Sequence, residues 1–178
     1  QELVDMIGPP LNETFQIVTK NPVIIEEMIG YYRKIYVALE MENINIYPNT
    51  IHMLETFHNM NFNLGIVTTK FRESAMTSIS EYGLDKYITS FCFLDDIKEH
   101  KPHPEPIFFA LNQFSDYNKV VMVGDSPSDI MAGFNSGSLA CGVDWSIKKE
   151  SIKSLNPDFW IKDFLELIDI IKEFNKED

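Results

Sequence analysis

Apolar residues along this chain recur at two different periods, and the change of period divides it. Leu11 to Val18 follows a Gly8-Pro9-Pro10 breaker and is predicted as a helix; Pro22 then suits the first turn of a longer one reaching about Glu40. Within that segment Ile25, Met28, Ile29, Tyr32, Ile35, Tyr36 and Leu39 fall at steps of three and four and form one apolar stripe, so two packed helices are expected. The stretch from Met41 to Thr50 lacks a helical period and contains Pro48, which marks it as a linker into a new unit. Residues 1–46 and 47–178 are therefore read as separate parts.

After the linker, strand-length apolar runs alternate with helical patterns. Asn49 is placed as the cap of a helix to about Met60, Leu64–Thr68 as a strand, and Arg72–Glu81 as a helix ended by Gly83. Phe91–Leu94 follows as a strand, Glu105–Phe114 as a helix and Val120–Val123 as a strand. Asp129–Asn135 is a helix closed near Gly137, Leu139–Val143 a strand and Phe164–Phe174 a closing helix. This alternation predicts an α/β fold with a parallel sheet covered on both faces. No internal repeat or low-complexity tract interrupts it.

Composition narrows the functional classes. Hydrophobic residues at 44% and charged residues at 24% are ordinary globular values, and no apolar run is long enough to span a bilayer. The simplest compartment is the cytoplasm. Fifteen Lys and Arg against 27 Asp and Glu leave a net charge of −12, whose field repels nucleic acid and anionic membranes. A small phosphorylated substrate remains compatible, because local lysines and a bound cation invert the field within one cleft. Cys92 and Cys141 sit in separate apolar runs without metal-binding spacing, as buried free thiols do. The four histidines form no zinc pattern, and the glycine-rich nucleotide loops and the G-x-S-x-G hydrolase elbow are absent.

In open parallel sheets ligands bind beyond the carboxyl ends of the strands, so the polar residues just after each strand carry the candidate chemistry. Thr68-Thr69-Lys70 follows the first strand, Asp95-Asp96 and H-K-P-H-P-E-P the second, and G-D-S-P-S-D the third. A hydroxyl, an ammonium and paired carboxylates gathered at one sheet edge can hold a phosphoryl group and a hard cation such as Mg²⁺. Asp125 leaves its strand directly, with Gly124 allowing close backbone approach. Asp129 begins the next helix, where a carboxylate also serves the helix N-terminus. Lys101 stands in a loop stiffened by Pro102, Pro104 and Pro106, which would aim it. Thr68 could equally satisfy a local amide.

Three motifs occur in order: G-I-V-T-T-K at 65–70, K-P-H-P-E-P at 101–106 and V-G-D-S-P-S-D at 123–129. With I-G-P-P-L-N-E-T-F at 7–15, L-D-D-I-K-E-H-K-P at 94–102 and A-C-G-V-D-W-S at 140–146, the chain resembles the haloacid dehalogenase superfamily. The similarity is greatest to its phosphoglycolate phosphatase branch and PpaX-type pyrophosphatases. The resemblance implies a three-layer Rossmann-like core with a helical (C1-type) cap. Its implied activity is Mg²⁺-dependent hydrolysis of a small phosphorylated metabolite such as phosphoglycolate or pyrophosphate. By the same resemblance Thr68 and Thr69 hold the phosphoryl group, Lys101 neutralises nucleophile and phosphate, Asp125 ligates Mg²⁺ and Asp129 supports it. Residues 1–46 become part of the cap, with Gly8, Pro9 and Arg33 near its substrate face.

One departure is large. The family's first motif, D-x-D-x-T, carries the nucleophilic aspartate and does not occur in this sequence. Its strand is central in the family's sheet, between those ending at Thr68 and at Val123, so the central first strand is expected to be absent here. Losing it leaves ladder groups unpaired, at about 1–3 kcal/mol for each buried amide. The expectation is an upstream segment of roughly 30–40 residues, given ordinary element and loop lengths. The alternative is a non-catalytic phosphate- or metal-binding or interaction module.

Overall fold

The strands fall into two parallel sheets separated by an apolar groove. The computed structural model describes residue 7 and residues 9–174. Helices α1 (Leu11–Phe15) and α2 (Pro22–Asn43) come first and pack on each other. The chain continues through α3 (Thr50–Asn59), β1 (Gly65–Val67), α4 (Arg72–Glu81), β2 (Ser90–Cys92) and α5 (Glu105–Leu111). Next come β3 (Val121–Gly124), α6 (Pro127–Asn135), β4 (Leu139–Val143), α7 (Lys149–Lys153), β5 (Phe159–Ile161) and α8 (Phe164–Phe174). Strands β1 and β2 pair with Ile66 opposite Phe91, and β4 lies between β3 and β5, with Cys141 opposite both Val123 and Phe159.

Period-two alternation along β4 builds the layers. Cys141 and Val143 join a cluster with Met53, Leu54 and Phe57 of α3 and Leu167 and Ile168 of α8. Ala140 belongs to the opposite side, with Ile130 of α6 and Ile152 of α7. Helices therefore cover both faces, as the alternation predicts, and the α/β class holds. Each fully buried side chain of this size contributes about 1.5–3 kcal/mol. On Ala140's side no room exists for a larger residue at Gly142, where a Cβ would lie 2.5 Å from the Trp160 ring. Cys92 and Cys141 are free and buried, and burial pushes both thiols up to about 12.

Several local expectations shift. Helix α6 begins at Pro127 rather than Asp129, since proline suits a first turn. Leu94, read as strand, belongs to a 3-10 turn, Leu94–Asp96. Asn49 occupies the N-cap position of α3, as expected, but its side chain makes no capping bond; its amide donates to both carboxylate oxygens of Asp163, at 3.0 and 2.9 Å. Helix α7 and strand β5 had no sequence signal, being five and three residues long. The stripe on α2 is only partly covered: Ile25 is buried, whereas Ile35 and Leu39 are exposed.

Among the described residues β1 and β3 each have one ladder partner, and their other edges border the groove. A cavity of about 610 Å³ fills it, with Phe57, Leu64, Ile66, Leu111, Val121 and Val123 among its lining. This is the position at which the central strand is expected to be absent. No helix among the described residues is long and apolar enough to cross a membrane.

Candidate functional site

The carboxyl ends of β1 and β3, with the loop between β2 and α5, carry the sequence-predicted residues to one pocket. Its lining includes Thr68, Thr69, Lys101, Asp125, Ser126, Ser128 and Asp129 together with Tyr47, Trp145 and Phe164, around a cavity of about 320 Å³. Thr68 is fixed by its own amide, which donates to Cys92 O at 2.9 Å, and its hydroxyl accepts the Lys70 N–H at 3.1 Å.

Lys101 is the pocket's buried cation. Its ammonium donates to Asp129 Oδ1 at 2.7 Å and to Val67 O at 3.0 Å, with the Lys101 and Asp129 side chains only 8% and 9% exposed. A charge so buried needs partners of this kind, because desolvation is costly unless compensated. The loop behind it is pinned by Asn135, whose amide donates to Pro102 O at 2.8 Å, and by Glu105, whose carboxylate accepts from Glu99 N–H at 2.9 Å.

Asp129 serves two masters. Its Oδ1 takes the lysine, and its Oδ2 accepts from the Ser126 amide at 3.0 Å and the Ser126 hydroxyl at 2.7 Å. With Asp129 N–H turned back toward Ser126 Oγ at 3.3 Å, this is a capping box closing the N-terminus of α6. Gly124 makes the seat possible: a Cβ there would fall 2.2 Å from Asp129 Cβ.

Asp125 differs from its neighbour. It is exposed and lines the pocket, and its main-chain carbonyl accepts the buried Ser146 hydroxyl at 2.6 Å. Partial burial, then the Asp129 charge, raise its carboxyl above the ordinary carboxylate range, against the pull of Lys101. Two acids in one pocket with a single buried ammonium leave a place suited to a cation. Among the described residues no group of three His, Cys, Asp or Glu could hold a metal. Mg²⁺ needs no such group, since it takes one or two carboxylates and completes its octahedron with water and phosphate oxygens. Asp125 is the direct candidate and Asp129 the oriented support behind it.

Thr68, Thr69, Lys101, Asp125 and Asp129 are thus brought together. Pro9 sits at an exposed bend and Arg33 lies over the Phe71 ring, neither lining the pocket; Gly8 falls outside the described residues. Sequence reasoning missed Ser126, although S-x-x-D before a helix signals a capping box. It also missed Ser146, which reaches Asp125 from 21 positions away with no local signature.

The family described as haloacid dehalogenase-like hydrolase matches residues 1–143. The chain belongs to the haloacid dehalogenase-like hydrolases. Pyrophosphatase PpaX of Halalkalibacterium halodurans is 34% identical over 173 residues, covering 96% of this chain and 80% of that protein. Pyrophosphatase PpaX of Bacillus pumilus is 35% identical over 173 residues, covering 96% and 79%. A haloacid dehalogenase-like family hydrolase from Streptococcus pneumoniae superposes with a TM-score of 0.79 at 21% identity, covering 96% of this chain and 80% of that one. At that identity the structural likeness concerns the fold. As a hydrolase of this family, the chain has its candidate site where the strands of the fold end.

Proposed function

We propose that this haloacid dehalogenase-like hydrolase is a Mg²⁺-dependent phosphohydrolase acting on a small phosphorylated metabolite such as pyrophosphate or phosphoglycolate. The observation that carries the reading is the buried Lys101 ammonium, held by Asp129 Oδ1 at 2.7 Å and lining one pocket with Thr68 and Asp125. The PpaX relatives, about a third identical over nearly the whole chain, support pyrophosphate or a similar substrate. Residues 1–46 are assigned as part of a cap and residues 47–178 as the core.

In this reading Thr68 Oγ and the Thr69 amide bind phosphoryl oxygens, and Lys101 balances the negative charge that accumulates as the phosphoryl group moves. Asp125 would hold Mg²⁺, which when bound would neutralise and orient phosphate oxygens. Asp129 holds the Lys101 ammonium in place through its Oδ1. The phosphoryl group passes to an aspartate outside this sequence: its carboxylate oxygen bonds phosphorus as the bond to the leaving group breaks, and water then releases inorganic phosphate.

The test is Mg²⁺-dependent phosphate release from pyrophosphate, phosphoglycolate and an aryl phosphate. It compares the 178-residue chain with a version extended upstream by the corresponding PpaX segment. Turnover only in the extended protein, lost on Asp125→Asn or Lys101→Met, is expected. Full activity in the 178-residue chain, its mass verified, would contradict an external nucleophile. Phosphate binding without turnover in either form would favour a non-catalytic binding module instead.

A further inference from the structure

The loop leaving β1 carries Thr68, and it is gripped from two directions. On the core side, Leu94 N–H donates to Lys70 O at 3.0 Å and Arg72 N–H to Asp95 Oδ1 at 2.9 Å. On the other side stands α2. The Arg33 guanidinium lies 4.1 Å from the Phe71 ring centroid, and the Lys70 ammonium lies 5.3 Å from that of Tyr36. Helix and loop therefore each supply one cation and one ring.

The Tyr36 ring is itself braced. It stacks on Tyr32 at 5.6 Å with an interplanar angle of 15°, and Tyr32 meets Phe15 of α1 edge-on at 6.2 Å. Lys70 joins this ladder to the pocket, because the residue whose ammonium meets Tyr36 also donates its backbone N–H to Thr68 Oγ1 at 3.1 Å. A cation is drawn to the negative face of a ring, and an aliphatic side chain of similar bulk keeps the apolar contact while losing that attraction.

We infer that Arg33, Tyr36, Lys70 and Phe71 form a reciprocal cation–π clasp through which the seating of α2 fixes the direction of the Thr68 hydroxyl. The four are positioning residues. Their link to phosphate rests on the function proposed above, whereas the clasp does not.

Two readouts test this in the full chain. Hydrogen exchange of the Lys70 amide reports its bond to Thr68 Oγ1, and calorimetric titration with inorganic phosphate in the presence of Mg²⁺ reports the pocket. Tyr36→Leu should speed Lys70 exchange by about tenfold and weaken phosphate several-fold, since one partly desolvated cation–π contact is lost. Tyr36→Phe, which keeps the ring, should stay within about twofold of wild type on both. If Tyr36→Leu does not fold, Phe71→Leu opens the clasp from the core side and should give the same pattern. Lys70 exchange indifferent to both substitutions would overturn the clasp. Tyr36-dependent exchange without phosphate binding in any variant would uphold the clasp and count against the function assigned to the pocket.

Discussion

Asp125 and Asp129 are four residues apart and play opposite electrostatic parts. Asp129 spends both oxygens on Lys101 and Ser126, while Asp125 presents its carboxylate to the pocket beside a like charge. Its raised carboxyl fixes the sign of a pH effect. Below the ordinary carboxylate range both folded and unfolded chains are protonated there and nothing is lost; as pH rises through the raised value the metal-free fold bears an ionised group it disfavours. Asp125→Asn is therefore expected to raise the metal-free melting midpoint at neutral pH by about 1–3 °C, a small gain because the group is solvent-screened. Mg²⁺ should raise the midpoint of the wild type and leave the variant unmoved, which calorimetric melting with and without the ion would show. Lys101 predicts the reverse direction. Lys101→Met strands a buried carboxylate and should cost about 3–5 kcal/mol in urea unfolding, most of it restored by adding Asp129→Leu. Equal losses for the single and double variants would refute this account of the pair.

At the scale of elements, the turn S-P-S-D does two jobs with one residue. It closes α6 and delivers Asp129 to Lys101, so cap and site share a carboxylate. Ser126→Ala is expected to destabilise the chain by about 1 kcal/mol, the usual worth of an N-cap, read as a lower urea midpoint with unchanged slope. This also explains what the sequence could and could not reveal. The motif residues were legible because each follows a strand with an apolar signature, and strand ends converge by topology. Asp129 was legible as a helix-start charge but not as the partner of Lys101, since 28 positions separate the two. Ser146 and the contacts of Arg33 and Tyr36 with the loop after β1 were invisible for the same reason, as contacts between distant segments leave no period. Short α7 and β5 fell below the length at which periodicity accumulates, and they hold their places by packing Ile152 and Ile161 into the core.

Across the whole molecule the groove between the sheets ties architecture to chemistry. Strand β4 is hydrogen-bonded on both sides, whereas β1 and β3 have one partner each among the described residues, and both border an apolar cavity of about 610 Å³. A parallel strand sends successive backbone groups to alternate sides, so half the ladder groups of β1 and β3 face the groove. Those groups bear the cost of lost pairing unless water or another segment meets them. Amide exchange should therefore be uneven: the amides of β4 are expected to be the slowest in the sheet, and those of Val67, Val121 and Val123, which face the groove, to exchange faster. In the upstream-extended protein the fast set should slow by about tenfold or more, since filling the groove pairs these edges. The same filling would set a nucleophile between Thr68 and Asp125, at the carboxyl ends of the strands that already hold them. Exchange in β1 and β3 unchanged by the extension would mean that the groove is not where the proposed nucleophile enters, and the phosphoryl acceptor would have to come from elsewhere.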